Sequence, residues 1–256
     1  MKPRLAWLLA ALALTASACT ATAGAASSSS DPDPAQPAVR DVARATIEPI
    51  DWEAVPEGAA YIARVKGLTS VLDAPGGTQV ALLDPTTDFG STTTLSVVGT
   101  PGPHDEWIEV MLNQRPNGTA GWVWADDVDL MWTTLHIEID LEQRELRLYD
   151  GEELLIRGET AVGSQANPTP TGRTFVTDRV ASTDPDALYG PFALGLALYS
   201  EVLTEYAGGD GQVAIHGTNT PRSLGQAVSH GCARVHNDVI MFLAGKVPLG
   251  TPVTIY

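Results

Sequence analysis

A thiol, two imidazoles and several small residues lie close together near the C-terminal end of this chain. Cys232 ends the run Ser229-His230-Gly231-Cys232, and His216 stands sixteen residues before it. A thiol becomes a nucleophile when a base takes its proton, a further group orients that base, and donors receive the charge that develops on the attacked carbonyl. Residues 213 to 237 offer candidates for each role. Val213-Ala214-Ile215 reads as a short strand that delivers His216 to its end, with Gly217 and Thr218 directly after it. Gly231 lets the backbone turn sharply, so that main-chain N–H groups near Cys232 can point at a bound carbonyl without help from any side chain. The only other cysteine, Cys19, lies in a segment that reads as an export signal. A single thiol in an oxidising compartment is a liability unless it is used.

Each residue has a plainer reading beside the chemical one. Free cysteine also packs as a small hydrophobe, and a histidine at a strand end is often merely satisfied there. The two together, in an exported chain, favour nucleophile and base. His230 is open between a second base, a binding group and a packing residue. Arg234 is open between a clamp for a substrate carboxylate and a structural ion pair. His236 and Asn237 fit the start of a helix better than a binding role, and His104 and His136 read as incidental. Zinc is the rival chemistry, since His216, His230, Cys232 and His236 are ligand types. No Cys-x-x-Cys pair supports it, and His230-Gly231-Cys232 would crowd two ligands, so neither metal nor cofactor is expected.

The elements that must position these groups read as mainly β. From Thr133 onward Leu135 to Asp140 alternates strongly, Gln143 to Tyr149 follows, Asp150-Gly151 turns, and Leu154 to Ile156 returns, as in a hairpin meander. Gly163 to Gly172 is a Gly/Asn/Pro loop, Phe175-Val176 resumes a strand, Asp238 to Ala244 is one short helix with Asn237 as its N-cap, and Pro252 to Ile255 closes with a strand. Residues 59–130 form a separate small β module. Its short apolar runs are divided by Pro75-Gly76-Gly77, Pro101-Gly102-Pro103 and Pro116-Asn117-Gly118, and it ends on Gly121-Trp122-Val123-Trp124. That ending resembles bacterial SH3-like domains. Trp107, Trp122 and Trp124 could line a groove for wall peptides, but the core of a small barrel is the expected place for them.

Residues 19–58 read as a tether, with the serine run 27–30 followed by Asp31-Pro32-Asp33-Pro34, although Ile50 and Trp52 could dock on a domain. Ahead of it, Met1 to Arg4 is basic, Leu5 to Leu14 is apolar, and small residues follow: a secretory signal over 1–18. Ala16-Ser17-Ala18 before Cys19 resembles a lipobox with Thr15 in place of the common leucine. On that reading Cys19 takes lipid and anchors the protein to the outer face of the membrane. The alternative is ordinary cleavage with Cys19 incidental. The formal charge of −16 excludes the basic surface that nucleic-acid binding needs, and by itself signals little beyond solubility.

His216-Gly217-Thr218 with Ser229-His230-Gly231-Cys232-Ala233-Arg234 resembles the signature of the L,D-transpeptidase family, the YkuD-type catalytic domain. The resemblance spans 133–256 and includes Pro168-Thr169-Pro170-Thr171-Gly172 as a common upstream element. It implies Cys232 as nucleophile, His216 as base, and the Gly217 carbonyl as the group that steadies the base. His230, Gly231 and Cys232 would shape the oxyanion hole, with Ser229 and Arg234 in the same substrate-binding segment. Ala233 stands where a larger aliphatic residue is usual, and Arg234 where some members carry Asn. The implied fold is an SH3-like small barrel followed by a β-rich catalytic domain with few helices.

The implied activity is cross-linking of peptidoglycan stem peptides in the cell wall. A tetrapeptide donor acylates Cys232, an amine of a second stem accepts, and carbapenem-type β-lactams acylate the same thiol. Hydrolysis or D-amino-acid exchange would pass through the same thioester. A non-catalytic wall-binding module is the reading from a different class.

Overall fold

The computed structural model describes residues 50–184, 186–205 and 209–256. The export segment, Cys19 and the tether as far as residue 49 lie outside the described residues. Among the described residues the chain is almost entirely β, with sixteen strands and one α-helix.

The first seven strands are β1 (Ala60–Val65), β2 (Thr69–Leu72), β3 (Gln79–Leu83), β4 (Thr94–Ser96), β5 (Trp107–Met111), β6 (Ala120–Trp124) and β7 (Val128–Thr133). They make two small antiparallel sheets, ordered β4-β1-β7 and β3-β2-β6-β5. The two-residue period of a strand sorts their side chains. Ile108, Val110 and Val123 point inward, to a core shared with Ala63, Val71 and Leu95. Ile50, Trp52 and Val55 pack against the same core, with the Trp52 ring 5.9 Å from that of Tyr61.

The expectation for the tryptophans is corrected here. Trp107, Trp122 and Trp124 fall on the opposite face from Val110 and Val123, the first two half-buried and Trp124 36% exposed. Trp107 and Trp124 are direct cross-strand partners whose rings meet edge to face at 4.8 Å. The alternation that buries Val123 necessarily turns its two tryptophan neighbours outward, whatever their size.

The remaining strands are β8 (Leu135–Asp140), β9 (Glu145–Asp150), β10 (Glu153–Gly163), β11 (Gly172–Ala181), β12 (Phe192–Tyr199), β13 (Gln212–His216), β14 (Ala227–Ser229), β15 (Ala233–Val235) and β16 (Pro252–Ile255). Eight of them close into a barrel in the order β10-β15-β13-β12-β11-β16-β8-β9, with β9 pairing back to β10 and β14 pairing with the end of β10 on the edge opposite β15. Closure leaves the barrel no free sheet edge, and its interior is filled by Ile137, Leu148, Leu194, Ile215 and Val253. The helix α1 (Asn237–Lys246) buries Ile240 and Leu243 in the same core. It is longer than the expected 238–244, and its N-cap is His236, whose Nδ1 accepts from the Asp238 N–H at 3.3 Å. Asn237, expected as the cap, is already helical, and its side chain is free to reach elsewhere.

Strands β11 and β12 are walls of both cores. Val176, Leu194 and Leu196 face the barrel interior, whereas Phe175 and Ala197 belong to the core of the first sheets. Polar bonds hold the seam. The Asn117 amide pairs with both the N–H and the C=O of Tyr199, each at 2.8 Å. The Arg115 guanidinium donates to the carbonyls of Ser200, Leu203 and Asp210 and lies over the Tyr199 ring.

Candidate active site

The register between β13 and β15 builds the site. These strands run parallel, with Ile215 opposite Ala233 and His216 opposite Arg234. Alternation then divides the ladder into two faces. Val213, Ile215, Ala233 and Val235 enter the barrel core. The other face carries Ala214, His216 and Arg234, and the same register brings Cys232, one residue before β15, beside Ala214. Small residues on both sides matter here. Ala214 leaves space for the thiol, and Ala233 is buried in the core, where a larger side chain would have to displace its neighbours. Cys232, His216, His230 and Arg234 line one pocket together with Leu188 and Tyr189. Its free volume is only about 10 Å³, close to the room one water needs.

His216 is 2% exposed. Its Nδ1 lies 2.6 Å from the carbonyl oxygen of Gly217. A carbonyl can only accept, so Nδ1 carries the proton, and in the neutral ring Nε2 is left as the acceptor. Burial is the main reason that the imidazole pKa is pushed down to about 4, and the charge of Arg234 works in the same direction; bonds to the Gly217 and Tyr189 backbone oppose it. The Tyr189 ring stands 4.6 Å from the imidazole and covers it. For Cys232, burial pushes the thiol pKa up, opposed by a hydrogen bond with the Ala214 backbone and by Arg234. Both shifts favour the uncharged forms near neutral pH, a thiol and a neutral imidazole.

The turn before Cys232 is held from within. Ser229 is 1% exposed; its hydroxyl donates to the Cys232 carbonyl at 2.6 Å and accepts the Gly231 N–H at 3.1 Å. Expected among the substrate-binding residues, it is instead occupied inside the loop, and it takes up the Gly231 amide as well. Gly231 has φ +122°, a conformation that side-chain-bearing residues rarely adopt, while a Cβ there would meet nothing closer than 3.7 Å. Glycine is needed at 231 for backbone shape and not for space. His230 is exposed on the pocket rim. Arg234 forms no ion pair with the described carboxylates, and its Nε is buried without a hydrogen-bond partner. Arg234 is one of the residues that line the pocket.

Three contributors were not read from the sequence. Asn237 Oδ1 accepts the Thr218 N–H at 2.8 Å and so ties the first turn of α1 to the loop after His216. Leu188 and Tyr189 come from a stretch with no recognisable periodicity. His236, a zinc candidate by type, is engaged at the helix start with Asp238.

Residues 134–255 match the YkuD family model, described as the L,D-transpeptidase catalytic domain. YkuD of Bacillus licheniformis, which carries an L,D-transpeptidase assignment, is 37% identical over 119 residues, 46% of this chain and 64% of that protein. YkuD of Bacillus subtilis, with the same assignment, is 35% identical over 120 residues, 47% of this chain and 65% of that protein. The chain thus spans a little under two thirds of the length of these curated relatives. Among solved structures, the catalytic domain of the Enterococcus faecium L,D-transpeptidase is 25% identical and matches 48% of this chain and 96% of that one, with a TM-score of 0.35.

Proposed function

We propose that the L,D-transpeptidase catalytic domain of residues 134–255 makes this chain an exported enzyme of the cell wall, joining peptidoglycan stem peptides through a thioester on Cys232. The observation that carries the reading is the Nδ1–H···O=C bond from His216 to Gly217 beside the thiol. It fixes the one tautomer whose Nε2 can take the thiol proton.

The reaction then runs in two halves. His216 Nε2 takes the proton of Cys232, and the sulfur attacks the carbonyl carbon of the third residue of a tetrapeptide stem. Main-chain N–H donors at the turn into Cys232, other than that of Gly231, which Ser229 holds, receive the oxyanion. The C–N bond breaks, the imidazolium passes its proton to the leaving amine, and D-alanine departs. An amine of a second stem next attacks the thioester. It gives its proton to Nε2, the new C–N bond forms as the C–S bond breaks, and the proton returns to the sulfur. Arg234, without a carboxylate partner among the described residues, suits the carboxylate of the donor peptide. Acylation of Cys232 by a carbapenem belongs to the same first half. The SH3-like identity of residues 59–130 and lipid attachment at Cys19 are parts of the same proposal; a tethered enzyme would be held near its polymeric substrate.

Incubation with tetrapeptide stems, followed by intact-protein and product mass spectrometry, tests this directly. A Cys232-dependent acyl adduct and a joined product are expected. An adduct that persists in Cys232→Ala would overturn the nucleophile, and a tripeptide product alone would replace joining by hydrolysis.

A further inference from the structure

The three tryptophans that β5 and β6 turn outward take no part in the chemistry at Cys232. Trp107 and Trp124 are direct partners across the two strands, and their ring planes meet at 84°, so that one ring stands as a wall on the other. Trp122 follows on the same face, opposite Glu109 on one neighbouring strand and Leu72 on the other. Adjoining apolar side chains left together on a surface mark a place where another molecule is met.

A carboxylate stands in the middle of this face. Alternation puts Glu109 between Trp107 and Met111 along β5, and Trp122 lies across from it. Val98, 40% exposed, flanks it on the other side and donates its N–H to the Glu109 carbonyl. Glu109 is therefore half-buried among apolar side chains. Among the described residues its carboxylate enters no ion pair and no side-chain hydrogen bond. A carboxylate so placed gains from a cation or donor that comes to it.

Charge decides what kind of molecule fits. Residues 59–133 carry nine carboxylates and only three basic side chains, Arg64, Lys66 and Arg115. All three are committed elsewhere: Arg64 and Lys66 pair with Asp129, and Arg115 donates to three carbonyls. Exposed Asp105 and Glu106 directly precede Trp107, and exposed Asp126 and Asp127 follow Trp124. Such a surface repels phosphate and other anions, and a neutral sugar would leave the charge of Glu109 unanswered. A cation is drawn by the carboxylates and by the faces of the indole rings alike.

We propose that this tryptophan face is a docking site for a basic peptide, which it holds by a lysine side chain. The ammonium sits between the Glu109 carboxylate and the indole rings, and the alkyl stem lies along the rings. The assignment is independent of the transfer chemistry at Cys232, and holds or fails whether or not stems are joined.

The test uses the full chain at pH 7 and low salt. Indole N–H signals are followed during titration with the peptide acetyl-Gly-Lys-Gly-amide and, separately, with the same peptide acetylated on the lysine Nζ and with chitotriose. The lysine peptide is expected to shift the signals of Trp107, Trp122 and Trp124 saturably and to leave those of Trp52 and Trp132 in place. Its Kd is expected to lie at least about tenfold below that of the acetylated peptide, which has the same stem without the charge. Glu109→Gln and Trp124→Ala, both changed on the outward face, are each expected to raise that Kd about fivefold or more. Equal binding of the acetylated peptide, binding of chitotriose in place of the lysine peptide, an unchanged Kd in Glu109→Gln, or shifts of Trp132 as large as those of Trp124 would each overturn the site. So would the absence of a saturable shift at tens of millimolar peptide.

Discussion

Asn237 accepts the backbone N–H of Thr218 across Gly217, and there is no room between them for a side chain: a Cβ at 217 would lie 2.4 Å from Asn237 Oδ1. Gly190, next to the Tyr189 that covers His216, meets the same oxygen, with a Cβ there only 2.6 Å away. One amide thus ties the start of α1 to the loop after His216, and the segment that covers the imidazole packs close against it. Asn237→Ala should lower kcat about tenfold through loss of this bond, worth roughly 1–3 kcal/mol when a buried donor is left unsatisfied. KM should change less, and Asn237→Asp, which keeps the acceptor, should restore most of the rate. Steady-state kinetics of the two variants check this; a loss in KM alone would point to substrate contact.

Ser229 makes a separate prediction. With its hydroxyl bonded to the Cys232 carbonyl and the Gly231 amide, Ser229→Ala should destabilise the fold by about 1–3 kcal/mol and slow thiol alkylation. Ser229→Thr should recover both, since the hydroxyl is retained. Thermal melts and iodoacetamide rates measure the pair. If alanine and threonine behave alike, the hydroxyl does not hold the turn.

The pH dependence follows from His216. His216 is depressed from 6.5 to about 4 in the folded protein. Between those values the unfolded chain binds a proton that the native one does not, so stability rises with pH across this window and is complete above about 6.5. The lowered pKa corresponds to roughly 3 kcal/mol lost as pH falls from 7 to below 4. His216→Asn should flatten that part of the stability curve, measured by denaturant titration at several pH values. Because the Cys232 thiol is also raised, alkylation of the wild type should climb only at alkaline pH, with no step near 6.5. A step there would mean an ion-paired resting state.

Asn117 supplies a paired contact across the seam, bonding both backbone groups of Tyr199. Asn117→Ala should lower stability by about 2 kcal/mol, while carbapenem labelling of Cys232 stays within about twofold, since Tyr199 lies at the far end of β12 from the residue paired with His216. Melting and labelling rates together test this. A labelling rate that fell with stability would show that the first sheets support the catalytic ladder.

Some elements were legible because a local pattern carried them. The meander over 135–156 announced itself by alternation and a turn at Asp150-Gly151, although its third strand runs on to Gly163, and both ends of the 163–172 loop fell where Gly and Pro placed them. Strand β12 was missed because it is buried on both faces. Phe192 to Tyr199 has no polar side to alternate with, and Gly195 inside it reads as a break until the Thr177 and Asp178 side chains that require it are known. The tryptophans were misplaced for the opposite reason. Size argued for the interior, but the register of β5 with β6 decides which face a residue takes.

What the sequence determined by itself was the chemistry on offer. Cys232, His216, Gly217 and Gly231 are close enough along the chain, and particular enough in type, to offer a thiol, an imidazole and a sharp turn. What only the tertiary structure decided was how those groups are poised. The neutrality of His216, the tautomer fixed by Gly217, and the tie from Asn237 to Thr218 come from burial and from strands and a helix brought together by folding. A sequence lists hydrogen-bonding groups, but proton affinity depends on which partners and how much water each group retains once the chain has closed around it.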